Sequence, residues 1–113
     1  MTMGVVGTAG FNVTNVIDLS SYSQNTAYQC PVNGLLILNY YATVQNVDAS
    51  IYISNDGGST YKQYQDQIYG GVAYNPTTRG NITVPINKND YFKYIVSGSN
   101  VGVLRFDLHK VGY

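Results

Sequence analysis

The chain has no glutamate: all six of its acids are aspartates, at positions 18, 48, 56, 66, 90 and 107. It is also short of alanine, leucine, lysine and arginine, the residues that lose little rotamer freedom in a helix. Helices, and catalytic machinery carried on them, are therefore not expected. One cysteine, Cys30, excludes an intrachain disulfide, so the fold does not depend on an oxidising compartment. One histidine leaves no Cys or His pair at zinc spacing. Six basic residues balance the six acids and none of them cluster. Release of counterions from a nucleic acid then offers little binding energy. No continuous hydrophobic run reads as a membrane span, and the apolar start of the chain lacks the basic region of a signal peptide.

What is abundant is 12 Tyr, 12 Asn and 12 Gly, with runs of Val, Ile and Thr, in 113 residues. Tyr, Val, Ile and Thr suit a pleated, half-buried surface, and Asn, Gly and Asp suit tight turns. These two groups together specify a single all-β domain, large enough to be stable without covalent staples.

Residues 1–12 carry Gly4, Gly7 and Gly10 among small apolar residues and read as an extended N-terminal arm. The arm is either a frayed terminus or a tether that orders against another subunit, with Val5, Val6 and Phe11 as its anchoring side chains. From residue 13 to 113, strand-like runs follow at intervals of about 8–12 residues. Val13, Ile17 and Leu19 share one parity, as do Tyr28, Cys30 and Val32. Leu35 to Val44 is apolar on both parities, as a central strand covered on both faces requires. Val47, Ala49, Ile51 and Ile53 alternate with Asp48, Ser50, Tyr52 and Ser54, which marks a half-buried strand. Residues 67–75 give a weaker strand signal, and 75–80 read as a loop. Ile82, Val84 and Ile86 form another alternating face, and Pro85 places that strand at an edge or an end. Phe92, Tyr94 and Val96 form the next inner face, and Leu104, Phe106 and Leu108 the last, with Arg105, Asp107 and His109 outside. The expected fold is one antiparallel β-sandwich, jelly-roll-like, of about eight strands.

Ser54-Asn55-Asp56-Gly57-Gly58-Ser59-Thr60-Tyr61 matches the Asp-box hairpin of sialidase propellers. Its logic is local: Asp56 accepts turn N–H groups, the glycines supply positive φ, and the aromatic packs beneath. One copy cannot make a propeller, so it implies a well-formed hairpin and no sialidase activity. Calcium would need several acids converging in one loop, and turn formation already accounts for Asn55 and Asp56. Cys30 and His109 could pair as nucleophile and base only if they met, yet Cys30 falls on an inner parity and His109 on an outer one. No catalytic residue, metal or cofactor is expected.

The tyrosines are the chemical excess, because 12 cannot all be core in so small a domain. A ring with a hydroxyl suits strand packing, a subunit interface or a sugar. The candidate recognition residues are Tyr52 on the polar parity of its strand, Asn55, Asp56 and Tyr61 in residues 54–61, Tyr64 in the hairpin that follows, and Tyr69, Tyr74 and Arg79 in residues 69–80, with 54–61 and 69–80 expected to be distal loops that face outward.

Three stretches resemble the small β-domains of bacteriophage head-fibre and tail-fibre proteins. They are the turn Pro31-Val32-Asn33-Gly34 before the apolar run from Leu35, the segment Val84-Pro85-Ile86-Asn87-Lys88-Asn89-Asp90 before Tyr91-Phe92, and the ending with Ser97-Gly98, Phe106, Lys110 and Gly112. Asn89 departs from the pattern, where Gly is more usual. The resemblance covers roughly residues 17–113. It implies a non-enzymatic virion structural protein, a capsid decoration or head-fibre component folded in the host bacterial cytoplasm. Its partners would be other virion proteins, two further copies in a homotrimer, and a cell-surface glycan. Two alternatives are a receptor-binding tail-fibre tip and a secreted carbohydrate-binding module. Because the chain starts with its own Met1 and a short arm, the stand-alone virion component is the leading expectation.

Overall fold

The computed structural model describes residues 15–42, 47–68, 78–98 and 101–111. Among these residues there are eight strands and no α-helix. The strands are β1 (Val16–Asp18), β2 (Tyr28–Gln29), β3 (Gly34–Ala42), β4 (Val47–Ser54), β5 (Lys62–Ile68), β6 (Thr78–Ile86), β7 (Tyr91–Ser97) and β8 (Val101–Lys110). They form two four-stranded sheets, ordered β1-β8-β3-β6 and β2-β7-β4-β5, and every pairing is antiparallel. The first half of the chain pairs with the second as one long folded hairpin: β1 with β8, β2 with β7, β3 with β6, β4 with β5. That is the jelly-roll order, and the Asp-box turn lies at the tip of the hairpin.

Alternation builds the core as the pattern predicts. Leu36, Leu38 and Tyr40 from β3, Ile82, Val84 and Ile86 from β6, and Phe106 and Leu108 from β8 are buried. They face Ala49 and Ile51 from β4 and Phe92, Tyr94 and Val96 from β7. Phe106 joins the layers, with its ring 4.4 Å from Tyr94 and 6.0 Å, edge to face, from Phe92. Such contacts add to area burial because ring edges and faces carry opposite partial charge. A second tie is polar: the Tyr40 hydroxyl, on a fully buried side chain, donates to Asp66 of β5 at 2.6 Å. Burial together with the Asp66 carboxylate pushes the Tyr40 phenol well above its usual range.

Some local expectations need correction. Leu104 is not an inner-face residue but 42% exposed. The β3–β8 register shifts between Asn39 and Tyr40, so Asn39 faces Arg105 while Tyr40 faces Val103. This bulge leaves Leu104 unpaired, and Val103 takes the place against the core. Asp107, expected outside, keeps the outer-face register but is only 5% exposed, its carboxylate clasped by Arg105 through Nε (2.9 Å) and Nη2 (3.1 Å). Arg79 and Gly80, read as loop, belong to β6. β2 ends at Gln29, yet Cys30 still exchanges backbone bonds with the β6–β7 turn, donating to Asp90 and accepting from Asn89. Pro85 does sit on an edge strand, where its missing N–H costs no ladder bond. Asn89 takes φ 75°, the conformation for which Gly is more usual.

Candidate functional site

The β4–β5 turn is held by its own side chains. Asp56 Oδ1 accepts from Ser54 Oγ (2.7 Å) and from the N–H groups of Ser59 (3.1 Å) and Thr60 (2.9 Å), and Oδ2 accepts from the Thr60 hydroxyl. These bonds hold the Asp56 carboxyl well below the usual carboxylate range, the Thr60 hydroxyl contributing most. Ser54 Oγ, on a buried residue, accepts from Gly58 N–H at 2.8 Å, and Gly57 and Gly58 take φ of 78° and 93°. Tyr61 folds back beneath this loop: a Cβ added at Gly58 would stand 3.5 Å from its hydroxyl. Asp56 therefore shapes the turn, and its oxygens are engaged there.

The turn presents Tyr61 to two surfaces. On one side Lys93 Nζ lies 4.6 Å from the Tyr61 ring centroid and 5.4 Å from that of Tyr52. Lys93 and Tyr52 are cross-strand partners on the outer face of the β2-β7-β4-β5 sheet, so the ammonium bridges the two rings. Next to them Gln63 donates to Ser50 Oγ at 2.9 Å. On its other side Tyr61 helps line a hollow of about 380 Å³. The remaining walls are Ile53, Asn55, Thr60, Lys62 and Tyr64 from the β4–β5 hairpin, and Pro85, Asn87 and Asp90 from the end of β6 and its turn. Lys62 Nζ lies 5.4 Å from the Tyr64 ring centroid. The β6–β7 turn is itself braced: Asn87 N–H donates to Asp90 Oδ2 at 3.1 Å, and Lys88 N–H to Asn33 at 2.7 Å.

The hollow thus offers two aromatic rings, two amide side chains, one ammonium and one carboxylate, carried by two braced turns and by the start of β5. That is a hydrogen-bonding, ring-stacking surface with no surplus charge. Of the sequence-predicted recognition residues, Asn55, Tyr61 and Tyr64 meet here, and Tyr52 stands beside them across Lys93. Arg79 does not join them; it lies on β6 in the other sheet. Tyr69 and Tyr74, with Val5, Val6 and Phe11 of the arm, lie outside the described residues. Pro85, Asn87, Asp90 and Lys93 escaped sequence reasoning. Lys93 could have been found from the Phe92/Tyr94 parity, which places it on the outer face. The other three come together with Tyr61 only through the β6–β7 fold-back. Among the described residues no three His, Cys or Asp side chains converge as a metal site would need.

No family model matches the chain, and no curated protein does. Among solved structures it is similar to a carbohydrate-binding module from Cellvibrio mixtus lichenase 5A, determined in complex with cellotriose. The two are 15% identical with a TM-score of 0.42, the match covering 86% of this chain and 71% of that one. A likeness that faint carries no functional argument.

Proposed function

We propose that this is a non-enzymatic binding domain that holds a neutral glycan in the hollow between the Asp-box hairpin and the β6–β7 turn. The observation that carries this is the pair Tyr61 and Tyr64 beside Asn55, Asn87, Asp90 and Lys62. Sugar rings present apolar C–H faces to aromatic rings and hydroxyls to amides and charged groups, and the hollow supplies both kinds of contact. The turns that carry Asn55, Asn87 and Asp90 are pinned by their own hydrogen bonds, and Lys62 and Tyr64 stand on β5 paired with β4, so little backbone ordering entropy opposes binding.

The setting that accords with the fibre-domain resemblance is the exterior of a bacteriophage particle. There the domain would be a capsid decoration or head-fibre protein, as a homotrimer attached through residues 1–12. A tail-fibre tip would use the same hollow for its receptor. Deleting residues 1–12 separates attachment from binding: a virion component loses its hold on particles and stays folded.

The test of glycan binding is a bacterial-surface glycan array followed by titration calorimetry of the best binder. Tyr61→Ala and Tyr64→Ala should each weaken binding about tenfold, a change of roughly 1.4 kcal/mol. Binding unaffected by both substitutions, or no binder on the array, would refute the proposal.

A further inference from the structure

A second hollow, again of about 380 Å³, lies on the outer face of the other sheet, and its walls are Asn39, Arg79, Gly80, Leu104 and Arg105. Arg79 on β6 and Arg105 on β8 flank β3, two strand spacings apart and offset by two residues along it (Arg79 opposite Tyr41, Arg105 opposite Asn39), which sets their backbones roughly 12 Å apart. The bulge that ejects Leu104 lies in this hollow, next to the Asn39–Arg105 pair. Bulges re-aim side chains, and this one sets Arg105 beside Asn39 with Leu104 as an apolar wall.

The hydrogen bonds around the hollow have one polarity. The Thr83 hydroxyl donates to Asn81 Oδ1 at 3.0 Å, and Asn81 Nδ2 donates to Asn39 Oδ1 at 2.7 Å. The relay occupies the Asn39 acceptor and leaves its NH₂ group to donate. Arg105 spends Nε and Nη2 on Asp107, and Nη1 remains. Asp107 also cancels the charge of Arg105, and Asp18 lies near enough to act on the same guanidinium. Arg79 has no carboxylate partner among the described residues. The hollow therefore gathers donors on three side chains and one uncompensated positive charge.

We propose that this hollow is an oxyanion site whose ligand class is a carboxylate or phosphate group, taken up by Arg79 with Asn39 and Arg105 as further donors. A guanidinium matches such a group with two parallel N–H bonds, which an ammonium cannot do. The site is independent of the tyrosine hollow. It would let the domain read an acidic substituent on whatever surface it meets.

The experiment is a ¹⁵N NMR titration of the full chain with glucuronate, with inorganic phosphate, and with glucose as the neutral control. Glucuronate or phosphate should move the signals of Asn39, Gly80 and Arg105, with a dissociation constant on the order of 1–10 mM. The stronger of the two identifies the source of the oxyanion. Arg79→Ala, at an exposed position, should weaken the response at least tenfold, Arg79→Lys should restore part of it, and Asn39→Asp should abolish it. Tyr61→Ala should leave it unchanged. The proposal fails if neither anion moves these signals, if glucose moves them equally, or if Arg79→Ala binds like the parent.

Discussion

Gly80→Ala tests how tightly the two sheets are coupled. Gly80 pairs with Tyr40 across β3 and β6, and a Cβ added there would stand 2.3 Å from Tyr40 Cζ and 2.4 Å from its hydroxyl oxygen. Tyr40 is fully buried and cannot retreat into solvent, so its ring must shift and release Asp66. Overpacking a core costs about 1–3 kcal/mol. Losing a hydrogen bond to a charged group costs about 1.5–3 kcal/mol. Replacing a strand glycine returns about 0.5–1 kcal/mol. The net expectation is about 2–5 kcal/mol of destabilisation, a large part of the roughly 5–15 kcal/mol available to a domain. Gly102→Ala is the control. Its Cβ would meet the Tyr41 ring at 2.5 Å, an equally close approach, but Tyr41 is half-buried and can swing outward. Its cost should stay within about 1 kcal/mol. Urea denaturation of both variants, alone and in a Tyr40→Phe background, separates the terms. Without the hydroxyl the Gly80→Ala penalty should fall by the hydrogen-bond share, about 1.5–3 kcal/mol. Equal costs for the two glycines, or an unchanged Gly80→Ala penalty in the Tyr40→Phe background, would refute the reasoning.

Two further expectations concern titration and reactivity. The Asp56 carboxyl is held below its ordinary value in the folded protein, so its bonds stabilise the fold fully above the unfolded pKa of about 3.9. That contribution is lost as pH falls from there through the depressed folded value, and Asp18, lowered by its bonds to Ser20, acts in the same sense. Denaturation midpoints should therefore drop below about pH 4, less steeply in Asp56→Asn, and an identical acid limb in that variant would contradict the assignment. Cys30 is buried, its Sγ donates to Val32 O at 3.0 Å, and burial pushes the thiol pKa up. A thiol reagent at pH 8 should label it no faster than the protein opens, with denaturant accelerating the reaction; immediate stoichiometric labelling of native protein would show the packing to be wrong.

The site was only partly legible in the sequence. The motif from Ser54 to Tyr61 announced its turn, because every bond in it is made within seven residues. Tyr52 could be assigned to an outer face because the alternation of β4 is strict. Arg79 was misplaced for a physical reason: Asn75 to Gly80 has the composition of a turn, yet β3 supplies a partner that draws residues 78–80 into β6. Leu104 was misplaced because a period of two has no means of counting an inserted residue, and the β3 register decides where the insertion falls.

Alternation, the shortage of helix formers and turn chemistry are properties of neighbouring residues, and they alone determined an all-β sandwich of about eight strands. Strand order, the bulge at Leu104, the Tyr40–Asp66 tie and the two hollows depend on residues far apart in the chain. Asn55 and Tyr61 meet Asn87 and Asp90 only because β6 and β7 return beside the β4–β5 hairpin. Arg79 meets Arg105 only because β3 lies between their strands. Local sequence sets which face a side chain takes, while closure of the jelly roll decides what stands across from it.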